Sequence, residues 1–128
     1  MEKIVSGIEG FDKLLYGGIP KGRAYLVSGE PGTGKTIFSL QYLLHGISLG
    51  EKGVYISIDE KPEHIIMDAE ALGWNITPLL ESGALQIIDV TQYFATSDTK
   101  ESGIDVNKVI DLILSYVKSN DVSRLAID

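Results

Sequence analysis

Hydrophobic positions change their period several times along the chain, and each change marks an element. Over residues 6–15, Ile8, Phe11, Leu14 and Leu15 share one face of a turn and short helix, with Asp12 and Lys13 directed outward. Gly17-Gly18-Ile19-Pro20-Lys21-Gly22 breaks that pattern, and the lead-in reads as a hydrophobic flap packed on a sheet. Residues 23–28 hold the apolar run Tyr25-Leu26-Val27 and read as the first strand. Ile37, Leu40, Leu43, Leu44 and Ile47 then recur at helical spacing, which predicts a helix from Lys35 to about Leu49, stopped by Gly50. Gly53-Val54-Tyr55-Ile56-Ser57-Ile58 is an almost unbroken β-branched and aromatic run, the pattern of a strand buried on both faces.

Further along, Pro62 suits the first position of a helix that reaches Leu72 and is closed by Gly73, burying Ile65, Ile66, Ala69 and Leu72. Residues 77–81 add a helical turn and residues 84–89 a third strand. Residues 91–103 are polar and aperiodic, as in a mobile connection. Val106, Val109, Ile110, Ile113 and Val117 mark an amphipathic helix over residues 105–118, and Arg124-Leu125-Ala126-Ile127-Asp128 is a fourth strand. Strands that alternate with helices, with no hairpin signal between them, imply right-handed crossovers and a three-layer α/β fold with a mostly parallel sheet.

Composition narrows the setting. With 128 residues, 44% of them hydrophobic, one domain is expected over residues 1–128. A net charge of -7 without a basic stripe argues against a nucleic-acid surface. The absence of cysteine excludes disulfides and zinc-thiolate sites and fits a reducing cytoplasm. Neither a leader-like apolar segment in the first ten residues nor a run of membrane-span length is present, so a cytoplasmic protein without a membrane partner is expected.

The chemistry centres on Gly29-Glu30-Pro31-Gly32-Thr33-Gly34-Lys35-Thr36, which meets the pattern G-x-x-x-x-G-K-[ST] at every fixed position. Strand before and helix after are the context that pattern requires of a phosphate-binding (Walker A) loop; the plainer alternative is a Gly-rich turn that Lys-Thr happens to follow. Gly32 and Gly34 permit turns that aim successive N–H groups at an anion, and the following helix adds its unpaired N-terminal donors. Lys35 would then reach the β- and γ-phosphates, and the Thr36 hydroxyl would serve Mg²⁺ as a neutral oxygen ligand.

In an open parallel sheet, ligands sit beyond the carboxyl ends of the strands, and three of the strands read here end in acids. Asp128 ends a hydrophobic strand, the usual form of the second (Walker B) motif, whose carboxylate holds Mg²⁺ directly or through water; a turn-forming acid is the other reading. Asp59 and Glu60 are candidates to polarise an attacking water, or simply favourable charges before the positive end of the next helix. Asp89 reads as a turn residue, and His45 and His64 lack a third metal ligand at suitable spacing. Asn107-Lys108-Val109-Ile110 lacks the Asp of the guanine-reading pattern, so ATP rather than GTP is expected.

Several segments together resemble the KaiC-like branch of the RecA superfamily of ATPases. The resemblance covers nearly the whole chain and is carried by residues 6–15 with the Gly17-to-Gly22 segment, the phosphate loop, the Asp59-Glu60 pair and Leu72-Gly73-Trp74. It implies a RecA-like core, ATP with Mg²⁺, and a ring, typically hexameric, with nucleotide held between neighbouring subunits. It also implies that the strand-end acidic pair, usually Glu-Glu in the family and here Asp59-Glu60, supplies the catalytic carboxylate. Members continue well past the Asp that corresponds to Asp128, so the chain is expected to be the N-terminal part of the domain, truncated after the Walker B strand. A strand inserted between the phosphate-loop strand and the Asp128 strand would lie in the remainder. The expected function is an ATP-binding, ATP-hydrolysing subunit, with this piece alone poorly active. The alternatives are a nucleotide-binding assembly or regulatory module without useful turnover, and a small-molecule phosphotransferase, against which the 28 residues before the loop speak.

Overall fold

The computed structural model describes residues 2–30, 34–90 and 106–128. Its sheet is built on β3 (Gly53–Ser57), whose five residues are all buried. On one side β3 pairs in parallel with β4 (Leu85–Asp89), and on the other with β5 (Arg124–Ile127). Tyr55 lies opposite Ile87 and Ala126 in this register. A strand with a neighbour on each side and helices on both faces has no room for polar side chains, which is why its sequence is a near-continuous apolar run.

Side-chain alternation sends β3 into two cores. Tyr55 joins Leu40 and Leu43 of α2 (Lys35–Ser48), Ile65 and Ala69 of α3 (Pro62–Ala71), Ile76 and Leu85, with Leu79 and Leu80 of α4 (Thr77–Ser82) packed beside them. Val54 and Ile56 face the opposite way, onto Val109 and Ile113 of α5 (Val106–Ser119). Among the described residues, three helices therefore cover one face of the sheet and one covers the other. The three-layer α/β expectation holds, with a parallel sheet at its centre.

Helix ends fall where local chemistry places them. Pro62 takes the first position of α3, where its missing N–H loses no hydrogen bond. Gly50 after α2 and Gly73 after α3 both adopt the left-handed backbone that ends a helix, with φ of 89° and 82°.

Four features depart from the reading of the sequence. Residues 23–28 form no strand: the segment is exposed, Leu26 by 92%, and no ladder joins it to β5. β-branched and aromatic content marks a stretch that suits a sheet, but a strand exists only where a partner's backbone groups meet it. Secondly, β1 (Lys3–Ile4) and β2 (Ile19–Pro20) form a small antiparallel ladder that no hairpin signal announced. Thirdly, the lead-in rests on α2 and not on the sheet. The Phe11 ring, in α1 (Glu9–Leu14), meets Phe38 edge-on at 5.0 Å, and the Gln41 side-chain amide donates to the Gly7 carbonyl at 3.1 Å. Fourthly, Asp12 points inward: its carboxylate accepts from the Ser6 hydroxyl at 2.7 Å, the Ser6 N–H at 3.0 Å and the Gly7 N–H at 3.1 Å. The expectation for residues 91–103 lies outside the described residues.

Candidate functional site

The carboxyl ends of β3 and β5 and the N-terminal end of α2 border one cleft of about 570 Å³. Parallel strands make this convergence inevitable, since each crossover returns the chain to the same edge and every strand ends on the same side. Gly34 leads into α2 with a left-handed φ of 98°, and the first intrahelical bond runs from the Phe38 N–H to its carbonyl at 2.9 Å. The N–H groups of the first turn consequently have no helical partner, and they stand with the positive end of the helix dipole at the cleft wall.

Six of the residues singled out from the sequence line this cleft: Gly34, Lys35, Thr36, Asp59, Glu60 and Asp128. Thr36 and Asp128, 92 positions apart, are joined directly, the Thr36 hydroxyl donating to Asp128 Oδ2 at 3.2 Å. Asp128 is itself held on β3 by its backbone, its N–H donating to the Ile56 carbonyl at 2.9 Å and its carbonyl accepting from the Ile58 N–H at 2.8 Å. The Ser57 hydroxyl donates to the Glu60 carbonyl and so shapes the turn that presents Asp59, exposed, and Glu60, half-buried. Gly29 and Glu30 lie in exposed chain and are not part of the cleft wall; Pro31, Gly32 and Thr33 lie outside the described residues. Asp89 ends β4 opposite Ser57, and the His45 ring lies against Gly7.

A family model described as the KaiC ATPase matches residues 4–128. The chain belongs to the KaiC ATPase family. It is 34% identical to a UPF0273 protein of Thermotoga maritima, over all of this chain and 55% of that protein. Identity is 40% to the circadian clock oscillator protein KaiC of Prochlorococcus marinus subsp. pastoris, over all of this chain and 25% of that protein. A UPF0273 protein of Pyrococcus horikoshii is 33% identical, over 98% of this chain and 53% of its own length. The chain thus spans about half the length of the UPF0273 relatives. Family membership carries the RecA-like fold class that the parallel sheet exhibits.

For a KaiC-family cleft the donor set suits a magnesium nucleotide. Hard oxygen ligands, a hydroxyl and a carboxylate, are what Mg²⁺ takes from a protein, and it completes its shell with water and phosphate. Lys35 is the one cation among the described residues that line the cleft, against the carboxylates of Asp59, Glu60, Asp68 and Asp128. A polyphosphate entering so acidic a site is repelled unless a divalent cation comes with it.

Further residues at or beside this KaiC-family site escaped the sequence reading. Asp68, Ala71 and Leu72 sit at i, i+3 and i+4 on α3 and its end, and together they form one cleft wall. Leu72, expected in the core, is instead 45% exposed there. Tyr55 is 1% exposed, and its phenol donates to Asp128 Oδ2 at 2.7 Å. Burial, reinforced by that hydrogen bond to the carboxylate, pushes the Tyr55 hydroxyl well above its ordinary value, so it remains a donor at any physiological pH. The signal was present: a tyrosine within a wholly buried strand must find a partner for its hydroxyl. Its partner's identity was not legible, because 73 residues separate the two.

Proposed function

We propose that the protein binds ATP with Mg²⁺ in this cleft and hydrolyses it slowly, as a cytoplasmic subunit of a ring-forming assembly, typically a hexamer in the resembling family. The observation that carries the reading is the contact between Thr36 and Asp128, which brings two motif residues 92 positions apart in the chain to 3.2 Å. Lys35 stabilises charge on the transferring phosphoryl group, and the loop over residues 29–36, with the first N–H groups of α2, holds the phosphates. Thr36 and Asp128 would hold Mg²⁺; one hydroxyl can accept the metal with a lone pair while it donates its proton to the carboxylate. Bound there, the ion would neutralise the charge that develops on the β- and γ-phosphate oxygens. Asp59 or Glu60, at the end of β3 in the same cleft, orients and deprotonates the attacking water.

Two measurements test the reading. Lys35→Ala removes a charge-assisted contact and should weaken ATP at least about tenfold by calorimetry. Unchanged affinity would end the phosphate assignment. Asp59→Asn combined with Glu60→Gln, made in a full-length relative, should preserve ATP binding while phosphate release falls by about a hundredfold or more, the weight of a positioned base. Binding without any turnover in a full-length relative would instead favour a nucleotide-dependent assembly module.

A further inference from the structure

We propose that Tyr55 is a positioning residue for the magnesium site, aligning the Asp128 carboxylate through its phenol; the proposal rests on the nucleotide reading above. Asp128 lies at the end of β5, whose sheet neighbour among the described residues is β3, and its backbone hydrogen bonds run to β3. Tyr55 adds a side-chain tie from the middle of β3. Ala126 stands opposite Tyr55 in the parallel register, and Asp128 follows two residues later on the same face. The short Ala126 side chain leaves the tyrosine ring free to extend along the strands to the carboxylate.

The phenol and the Thr36 hydroxyl, at 2.7 and 3.2 Å, converge on the same oxygen, Oδ2. With Oδ2 gripped from two sides, the carboxylate plane is set and Oδ1 is left to the metal or to its water. Were Thr36 the sole anchor, the carboxylate would depend on a hydroxyl that must also serve the metal. Tyr55 supplies an anchor that touches neither metal nor nucleotide. The ring itself belongs to the apolar layer with Leu40, Leu43 and Ile65, so phenylalanine would keep the packing and remove only the hydroxyl.

The test measures ADP affinity of the full chain by calorimetry, once with Mg²⁺ and once with EDTA. In Tyr55→Phe the enhancement by Mg²⁺ should fall about tenfold, the weight of a hydrogen bond to a charged group, while metal-free affinity stays within about twofold. Placed in an Asp128→Asn background, the same substitution should add almost nothing, because its effect runs through that carboxylate. An undiminished Mg²⁺ enhancement would overturn the proposal, and so would an equal loss with and without metal. Loss of the fold in Tyr55→Phe, read by circular dichroism, would overturn it too, by making the hydroxyl structural. If the unaltered protein binds ADP equally with and without Mg²⁺, the metal assignment of Thr36 and Asp128 fails first and takes Tyr55 with it.

Discussion

Arg124 shows how much a single side chain can carry away from the cleft. It is 2% exposed, its guanidinium donates to Glu51 Oε1 at 2.8 Å and to the Tyr42 carbonyl at 2.9 Å, and it lies 4.8 Å from the Tyr42 ring centroid. The cluster ties the start of β5 to the C-terminal half of α2, so it sets the separation of the two elements that bear Asp128 and Thr36. Glu51→Gln would strand the guanidinium without a counter-charge and should cost about 3 kcal/mol in urea unfolding, the low end for a stranded buried charge, because water reaches Glu51. Gly46→Ala, ordinarily favourable within a helix by about 1 kcal/mol, should be destabilising here, since its methyl would stand 2.5 Å from Arg124 Cδ. An arginine opening a strand looks solvated in sequence; the mid-helix glycine is the one mark that something large needs that space. Asp12 is the second such residue. Partial burial acts to raise its pKa, but the hydrogen bonds from Ser6 and Gly7 outweigh it and hold the carboxyl below its ordinary 3.8. A depressed folded value means stabilisation that is full above the ordinary value and lost as pH falls through the folded one. Protection of the Ser6 and Gly7 amides, relative to their intrinsic exchange, should therefore persist down to about pH 4 and fall only in stronger acid; equal protection in Asp12→Asn and wild type in neutral solution would contradict the latch.

At the scale of elements, legibility followed how many neighbours each one has. The helices α2 and α3 declare themselves by the period that one buried face imposes, and β3 by an apolar run as long as the strand. Residues 23–28 have the same composition as a buried strand and no partner, and no local pattern separates those two cases. The ends of elements were legible for a different reason: Gly34, Lys35, Thr36 and Asp128 sit where motif chemistry demands fixed residue types at fixed places. The fold, and no motif, brings Asp68 to the cleft and Tyr55 to the Asp128 carboxylate. Burial also grades the helices. Ile65 of α3 is fully buried, whereas Ile110 of α5 is 46% exposed although both fall on apolar faces. Ile65→Ala should accordingly cost about 2–5 kcal/mol in urea unfolding. Ile110→Ala should stay within about 0.5 kcal/mol, as exposed substitutions do. Similar losses at the two positions would show that α5 is buried in solution by something that covers it.

Over the whole molecule, the two edges of the sheet are unlike. β4 is flanked by α4, whereas β5, among the described residues, pairs only with β3 and carries exposed Leu125 and Ile127 on the face shared with α5. Unpaired strand edges with apolar side chains are templates for another strand, because they offer backbone donors and acceptors together with a surface to bury. The 128-residue polypeptide should therefore self-associate as its concentration rises, and light scattering should report a mass above that of the monomer. Two exposed segments compete for the responsibility. The run around Leu26 offers apolar side chains without an ordered edge, so it must pay the entropy of ordering before it gains a ladder. Strand β5 is already extended and in register, so its contacts come without that loss. A lysine on an edge strand is a common natural block to pairing, and Leu125→Lys should return the mass to that of a monomer while Leu26→Lys leaves association largely in place. The reverse outcome would place the sticky surface on the unpaired run before the phosphate loop, and residues 23–28 rather than β5 would then be what seeks a missing strand partner.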